Sequence, residues 1–236
     1  MAEVMADATV TVTIVPLNGE AAGQLAAACL PLLSGPEILR ARSIDDDRQR
    51  TEFILCHRAI QCLAAKSAGG RPVSYVRGPS GRPLLPSGPH LSVSRAGGFA
   101  AIGLCQAHAL GVDLASLEAE VDVSSRNRYP GLARRMRSAE TCGKLSFLRS
   151  WTELEAIAKL RQIPMHRLLA EFEPDPPVLC TFSGQRLILT VAVGEVCTVS
   201  LQHAEWNAGF AEAGGNAGPI ATAPNLRVLR SSQTLQ

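Results

Sequence analysis

The stretch Gly111-Val112-Asp113-Leu114-Ala115-Ser116 puts a carboxylate into an otherwise apolar run that begins near Phe99. A strand-end Asp in a turn is the plain reading of Asp113. The chemical reading is a hard-oxygen ligand for Mg²⁺, which takes one or two carboxylates and completes its shell with water and phosphate. A second carboxylate, Glu155, follows 42 positions later in SFLRSWTELEAIAKL, residues 146–160. Glu155 and Lys159 are four apart and share a helix face. An exposed ion pair has the same spacing. Glu155 is flanked by Leu154 and Ala156 and lies one turn from Trp151, which suits a carboxylate turned inward. Lys159 is one of only three lysines (Lys66, Lys144, Lys159) in a chain with 23 basic residues, so its use there is informative.

Two further places carry chemistry. In SGRPLLPSGPHLSVSRAGG, residues 80–98, Arg82 sits between Gly81 and Pro83, and Ser94 and Arg95 end an apolar alternation just before Gly97-Gly98. Backbone amides, a hydroxyl and guanidinium groups around such loops suit phosphate, and a solvated turn is the alternative. The other place is the basic edge of a long helix, with Arg48, Arg50 and Arg58, which by spacing alone is a solvated face. The sequence has no GxxxxGK[ST] loop, GxGxxG turn after a strand, GxSxG elbow or HExxH pair. The common motif-defined nucleotide, hydrolase and zinc classes are therefore unsupported.

The elements that must position these groups follow from periodicity. ATVTVTIVP (8–16) alternates as a half-buried strand. Residues 19–33 read as a helix ended at Ser34-Gly35-Pro36, and 46–68 as a long helix stopped by Gly69-Gly70. HLSVS (90–94), GFAAIGL (98–104) and ALGVDL (109–114) read as three consecutive strands, 131–140 and 145–161 as helices, and 178–202 as a closing antiparallel meander. From Asn207 to Gln236, Gly, Ala, Asn, Pro and Ser dominate, and a poorly ordered tail is expected. The order strand, helices, strands, helices, strands makes the fold class α+β.

Composition bounds the rest. The 236 residues are 46% hydrophobic and 4% aromatic, so the core is built from Ala, Val, Leu and Ile. A net charge of +2 gives no bulk attraction to nucleic acid. Seven cysteines without a CxxC read as reduced thiols rather than a disulfide framework. The N-terminus lacks a basic, then apolar, leader, and the most apolar stretch is broken by Gln106, His108 and Asp113. A cytoplasmic protein with no membrane partner is expected.

Taken in order, Gly81-Arg82-Pro83, then LSVS-Arg95, then GVDLA, then WTELEAIAK resemble the motifs of the Sfp-type 4′-phosphopantetheinyl transferases over roughly residues 40–160, with 187–202 resembling that family's closing strands. The resemblance implies two similar α/β halves, 1–108 and 109–206, related by a pseudo-twofold axis, with coenzyme A in the cleft between them. It implies transfer of phosphopantetheine from coenzyme A to a serine of an acyl or peptidyl carrier protein, by a monomer, with Mg²⁺. On this resemblance Asp113 and Glu155 would be the metal ligands and Glu155 and Lys159 the catalytic residues. Arg82, Ser94 and Arg95 would grip coenzyme A, with Arg50, Thr51 and Arg58 as candidates for the same rim. Three positions depart from the family pattern: Ala115 replaces an acid, Arg95 a His and Leu154 a Lys. They motivate the alternative of a catalytically weakened member that binds coenzyme A or a carrier protein without transfer.

Overall fold

The computed structural model describes residues 9–71, 73, 75–78, 83–86, 88–137, 143–170, 177–207, 224–229 and 234–235. It is a mixed α+β fold in which helices cover two main antiparallel-rich sheets. In chain order the elements begin with β1 (Thr9–Pro16), α1 (Ala22–Cys29), α2 (Gly35–Arg42) and α3 (Asp47–Ser67). Two short strands, β2 (Val76–Arg77) and β3 (Pro83–Leu84), lead to β4 (His90–Ala96), β5 (Phe99–Cys105) and β6 (Leu110–Ser116). Helices α4 (Pro130–Arg137), α5 (Lys144–Arg161) and α6 (Met165–Ala170) follow. Then come β7 (Val178–Ser183), β8 (Leu187–Val193), β9 (Thr198–Asn207), β10 (Asn225–Leu229) and β11 (Thr234–Leu235).

The strict alternation of β1 decides the packing. Val10, Val12 and Ile14 point to one side and join a core with Leu110, Val112, Leu114, Leu189 and Val191. Val15 and Leu17 point to the other side and pack with α1 and α3. With apolar groups on both faces, β1 sits inside its sheet, between β5 (antiparallel) and β9 (parallel). The order of that sheet is β10-β9-β1-β5-β4, with β11 also on β9, and the second sheet is β6-β8-β7.

Several expectations change here. β4 and β5 form a hairpin, turned by Gly97 (φ +58°) and Gly98 (φ +78°), but β6 leaves that sheet to pair with β8. The closing meander is only β7–β8, because β9 crosses to β1 and buries Val199 in the core of Val10 and Val12. A strand from the expected second half thus lies among strands of the first. Two pieces of the expected tail, Asn225–Leu229 and Thr234–Leu235, pair with β9, while residues 208–223 lie outside the described set. Ser34-Gly35-Pro36, read as a helix end, also starts one. Ser34 and Glu37 form a reciprocal capping box and Pro36 occupies the first turn of α2.

Among the described residues no helix is long and apolar enough to cross a membrane. The described cysteines are all free thiols, and burial pushes the Cys29 and Cys56 thiols up to about 11, which makes them unreactive.

Candidate functional site

Asp113 lies mid-way along β6, opposite Thr190 of β8, and is 4% exposed. What brings partners to it is the helix α5 laid across β6 and β8. Gly111 makes that approach possible. A Cβ there would stand 1.9 Å from the carbonyl oxygen of Ala156, so any larger residue would push the helix off the strand. Leu154, Ala156 and Ile157 fill the contact, together with Leu132, Met136, Leu168 and Leu169 of the neighbouring helices. A buried hydroxyl cluster fixes the register. Thr152 Oγ1 lies 3.0 Å from Thr190 Oγ1, which lies 3.1 Å from Thr181 Oγ1.

That docking sets Glu155 and Lys159 beside Asp113. Lys159 Nζ donates to Asp113 Oδ1 at 2.6 Å and to the Val112 carbonyl at 3.0 Å, and stands 3.9 Å from Glu155 Oε2. Ser94 Oγ of β4 donates to the same Asp113 oxygen at 2.7 Å, and the adjoining Ser92 Oγ accepts from the Val112 amide at 2.9 Å. These bonds tie the edge of one sheet to the edge of the other. Trp151 Nε1 donates to Glu155 Oε1 at 3.1 Å, and the Trp151 ring stacks on Phe147, centroids 6.0 Å apart.

The electrostatics are asymmetric. Burial raises the pKa of Glu155, and the neighbouring Asp113 charge raises it further, with a hydrogen bond between the two carboxyls in the same direction. Lys159 and the Trp151 N–H oppose this without cancelling it. Two carboxyls in contact with one ammonium between them hold one negative charge too many for a half-buried place. A proton or a cation resolves it.

Both carboxylates face a cavity of about 670 Å³. Its lining combines the polar Ser94, Arg95, Asp113 and Glu155 with the largely apolar Val121, Tyr129, Phe147, Leu148 and Trp151. The volume lies within the range of ligand sites. Among the described residues no group of three or more His, Cys, Asp or Glu side chains is arranged to hold a metal. Asp113 and Glu155 supply two hard-oxygen donors, and the excess charge between them fits a divalent ion that keeps several waters. Ala115, where a third acid is expected from the resemblance, is on the same wall.

Other expected site residues are placed differently. Lys159 is absent from the cavity lining and is spent on Asp113. Ser94 lines the cavity, but its hydroxyl is committed to Asp113. Arg50 donates to the Ile44 carbonyl and pairs with Asp47, and Arg58 Nη1 donates to Gln61 Oε1 at 3.3 Å. Neither these two nor Thr51 lines the cavity, because they point to faces of α3 away from the one near Arg95. That face instead presents Cys56, which lies within electrostatic reach of both Arg95 and Glu52. Gly81 and Arg82 lie outside the described residues. Leu154, 4% exposed, is part of the core rather than the cavity wall. The sequence reading missed the wall formed by Val121, Asp122, Ser125 and Tyr129. Its one available signal was the Asp122-x-Ser124 capping pattern, in which the Ser124 amide and hydroxyl both donate to Asp122.

A comparison with models of known protein families finds no match to this chain, and a comparison with curated proteins finds no relative.

Proposed function

We propose that the chain is an Sfp-type 4′-phosphopantetheinyl transferase that moves phosphopantetheine from coenzyme A to a serine of an acyl or peptidyl carrier protein. The observation that carries this reading is the meeting of Asp113 and Glu155, from a strand and a distant helix, at one cavity with their carboxyls in contact. The order of motifs around them supports it. In this reading residues 1–108 and 109–206 are the two halves of a pseudo-twofold fold, and coenzyme A lies in the cleft between them.

Asp113 and Glu155 would hold Mg²⁺, which when bound neutralises diphosphate charge and orients the leaving group. The serine oxygen bonds to the β-phosphorus of coenzyme A, the phosphorus–oxygen bond toward the adenosine breaks, and 3′,5′-bisphosphoadenosine leaves. Glu155, whose proton affinity is raised by burial and by Asp113, takes the serine proton directly or through a water. Lys159 and Ser94 hold Asp113 in place through hydrogen bonds to its Oδ1. Arg95, on the cavity wall, contacts the phosphates of coenzyme A.

The alternative, a member that binds coenzyme A or a carrier without transfer, rests on Ala115 and Arg95 at the cavity wall. One experiment separates the two. The chain is incubated with an apo carrier protein, coenzyme A and Mg²⁺, with and without EDTA, and the carrier's intact mass is read. A gain of one phosphopantetheine, lost with EDTA, is expected. No gain across fatty-acid, polyketide and peptide carriers, with coenzyme A still bound, would favour the alternative. No gain and no binding would remove both.

A further inference from the structure

The threonines that alternate along β1 are not used by the site at Asp113. Thr9, Thr11 and Thr13 point to the α3 side of their sheet, opposite Val10, Val12 and Ile14, whose core carries β6. Nearer the other end of β1 the same face is apolar, with Val15 and Leu17 packed on α1 and α3. At the threonine end the sheet and the helix part around a cavity of about 270 Å³. Its floor is Thr9, Thr11 and Thr13 of β1 with Gln202 of β9, which is the register partner of Thr13. Its roof is the last turn of α3, with Leu63, Lys66 and Ser67. Gln106 forms one wall and donates to Ser67 Oγ at 3.1 Å.

Two features mark this as more than a gap in packing. Thr13 is only 2% exposed as a residue, and its hydroxyl, which has no side-chain partner among the described residues, opens onto the cavity and is free to bond a molecule held there. The lining also holds one ammonium, Lys66, and no carboxylate. The negative end of the α3 dipole is blunted, because the carbonyls of Ala64, Ala65 and Lys66 already accept from Ala68, Gly70 and Gly69. Hydroxyls converging from a floor and a roof, with one point charge, suit a tetrahedral oxyanion better than a planar carboxylate.

We infer that the cavity between β1, β9 and the end of α3 is a second ligand site, which takes a small phosphate-bearing anion on the Thr11, Thr13 and Ser67 hydroxyls, the Gln202 amide and Lys66. The inference is independent of the transferase reading.

Titration of the ¹⁵N-labelled full chain with inorganic phosphate, at ionic strength held constant with NaCl, tests it. Saturable shifts are expected at the amides of Thr11, Thr13, Ser67 and Gln202. Thr13→Val and Lys66→Met should each weaken the apparent affinity by about tenfold. Thr13→Val should melt no lower than wild type in phosphate-free buffer, since it removes an unpartnered hydroxyl, and Lys66→Met tests the charge without touching the buried floor. Acetate should bind at least about tenfold more weakly than phosphate. The inference is overturned if phosphate gives no saturable shifts, if acetate matches it, or if both variants bind as wild type; the cavity then holds water only.

Discussion

Two glutamates in this molecule, Glu37 buried and Glu155 half-buried, have opposite surroundings. Glu37 of α2 accepts from the Ser34 amide at 2.8 Å, from Gln61 Nε2 at 3.1 Å and from Tyr75 Oη, and lies 2.9 Å from His57 Nδ1. Burial works against its charge, but the hydrogen bonds from His57, Tyr75 and Ser34 outweigh that and hold it down at about 2. No cavity wall described above includes it. Glu155 accepts from Trp151 Nε1 and has a second carboxyl in contact, and its pKa moves up. Both are glutamates that reach across to another segment. The satisfied one holds the structure together, and the crowded one borders a cavity and retains unused binding capacity.

The largest effect expected from this contrast is on turnover. On the proposed transferase reading, Glu155→Gln should reduce phosphopantetheine transfer by about 10²–10⁴-fold, the usual range for a general base, and should melt no lower than wild type. Carrier mass against time, beside a thermal melt, reads both. An active Glu155→Gln enzyme would place the catalytic proton acceptor elsewhere and end the contrast as a functional one.

The mirror experiment is Glu37→Gln. Removing one partner from a buried, paired carboxylate costs about 3–5 kcal/mol. Urea unfolding should show that loss, while transfer per folded molecule stays near wild type. A stable variant would mean that the network around His57 adds little to the fold.

Acidity sharpens the same contrast, because the two shifts have opposite signs. The folded pKa of Glu37 is depressed from 4.5 to about 2, so its contribution is complete above pH 4.5 and is lost as pH falls toward 2. The folded pKa of Glu155 is raised above 4.5, so its contribution is present below pH 4.5 and is lost as pH rises through the folded value. The deficit of Glu37→Gln should therefore vanish on acidification. Glu155→Gln should gain on wild type as pH rises. Denaturant midpoints across pH 2–8 check both slopes, and parallel curves for the two variants would contradict the assigned surroundings.

How far these surroundings could be read in advance differs between the two sites. Asp113, Glu155 and Lys159 were legible because each breaks a local pattern: an acid in an apolar strand, an acid on an apolar helix face, a Lys among arginines. Their juxtaposition rested on Gly111, whose missing side chain admits α5, and a glycine alone in a strand does not say what approaches it. Strands β4 to β6 were legible from alternation, but alternation is silent on partners, so the departure of β6 from β5 and the crossing of β9 to β1 were not. Arg50, Thr51 and Arg58 do not line the cavity at Asp113, and the sequence left their helix phase open, since an error of one residue turns a side chain by about 100°. The Glu37 network left one local motif, the Ser34-x-x-Glu37 capping box. Its other members, His57, Gln61 and Tyr75, are joined to Glu37 only by tertiary packing.

The smallest expected effect tests how the Glu37 network divides its work. The Tyr75 hydroxyl bonds both the Glu37 carboxyl and His57 Nδ1, so it bridges the other two members. Tyr75→Phe keeps the ring and removes only that bridge. Glu37 retains Ser34, Gln61 and His57, so the carboxylate stays ionised and no bare charge is left buried. The cost should be that of one hydrogen bond to a charged group, about 1.5–3 kcal/mol, below that of Glu37→Gln. The acid limb of the stability curve should move upward in pH, because losing one donor lets the folded pKa of Glu37 rise. Equal losses for Tyr75→Phe and Glu37→Gln would mean that the bridge, rather than the carboxylate, organises the cluster.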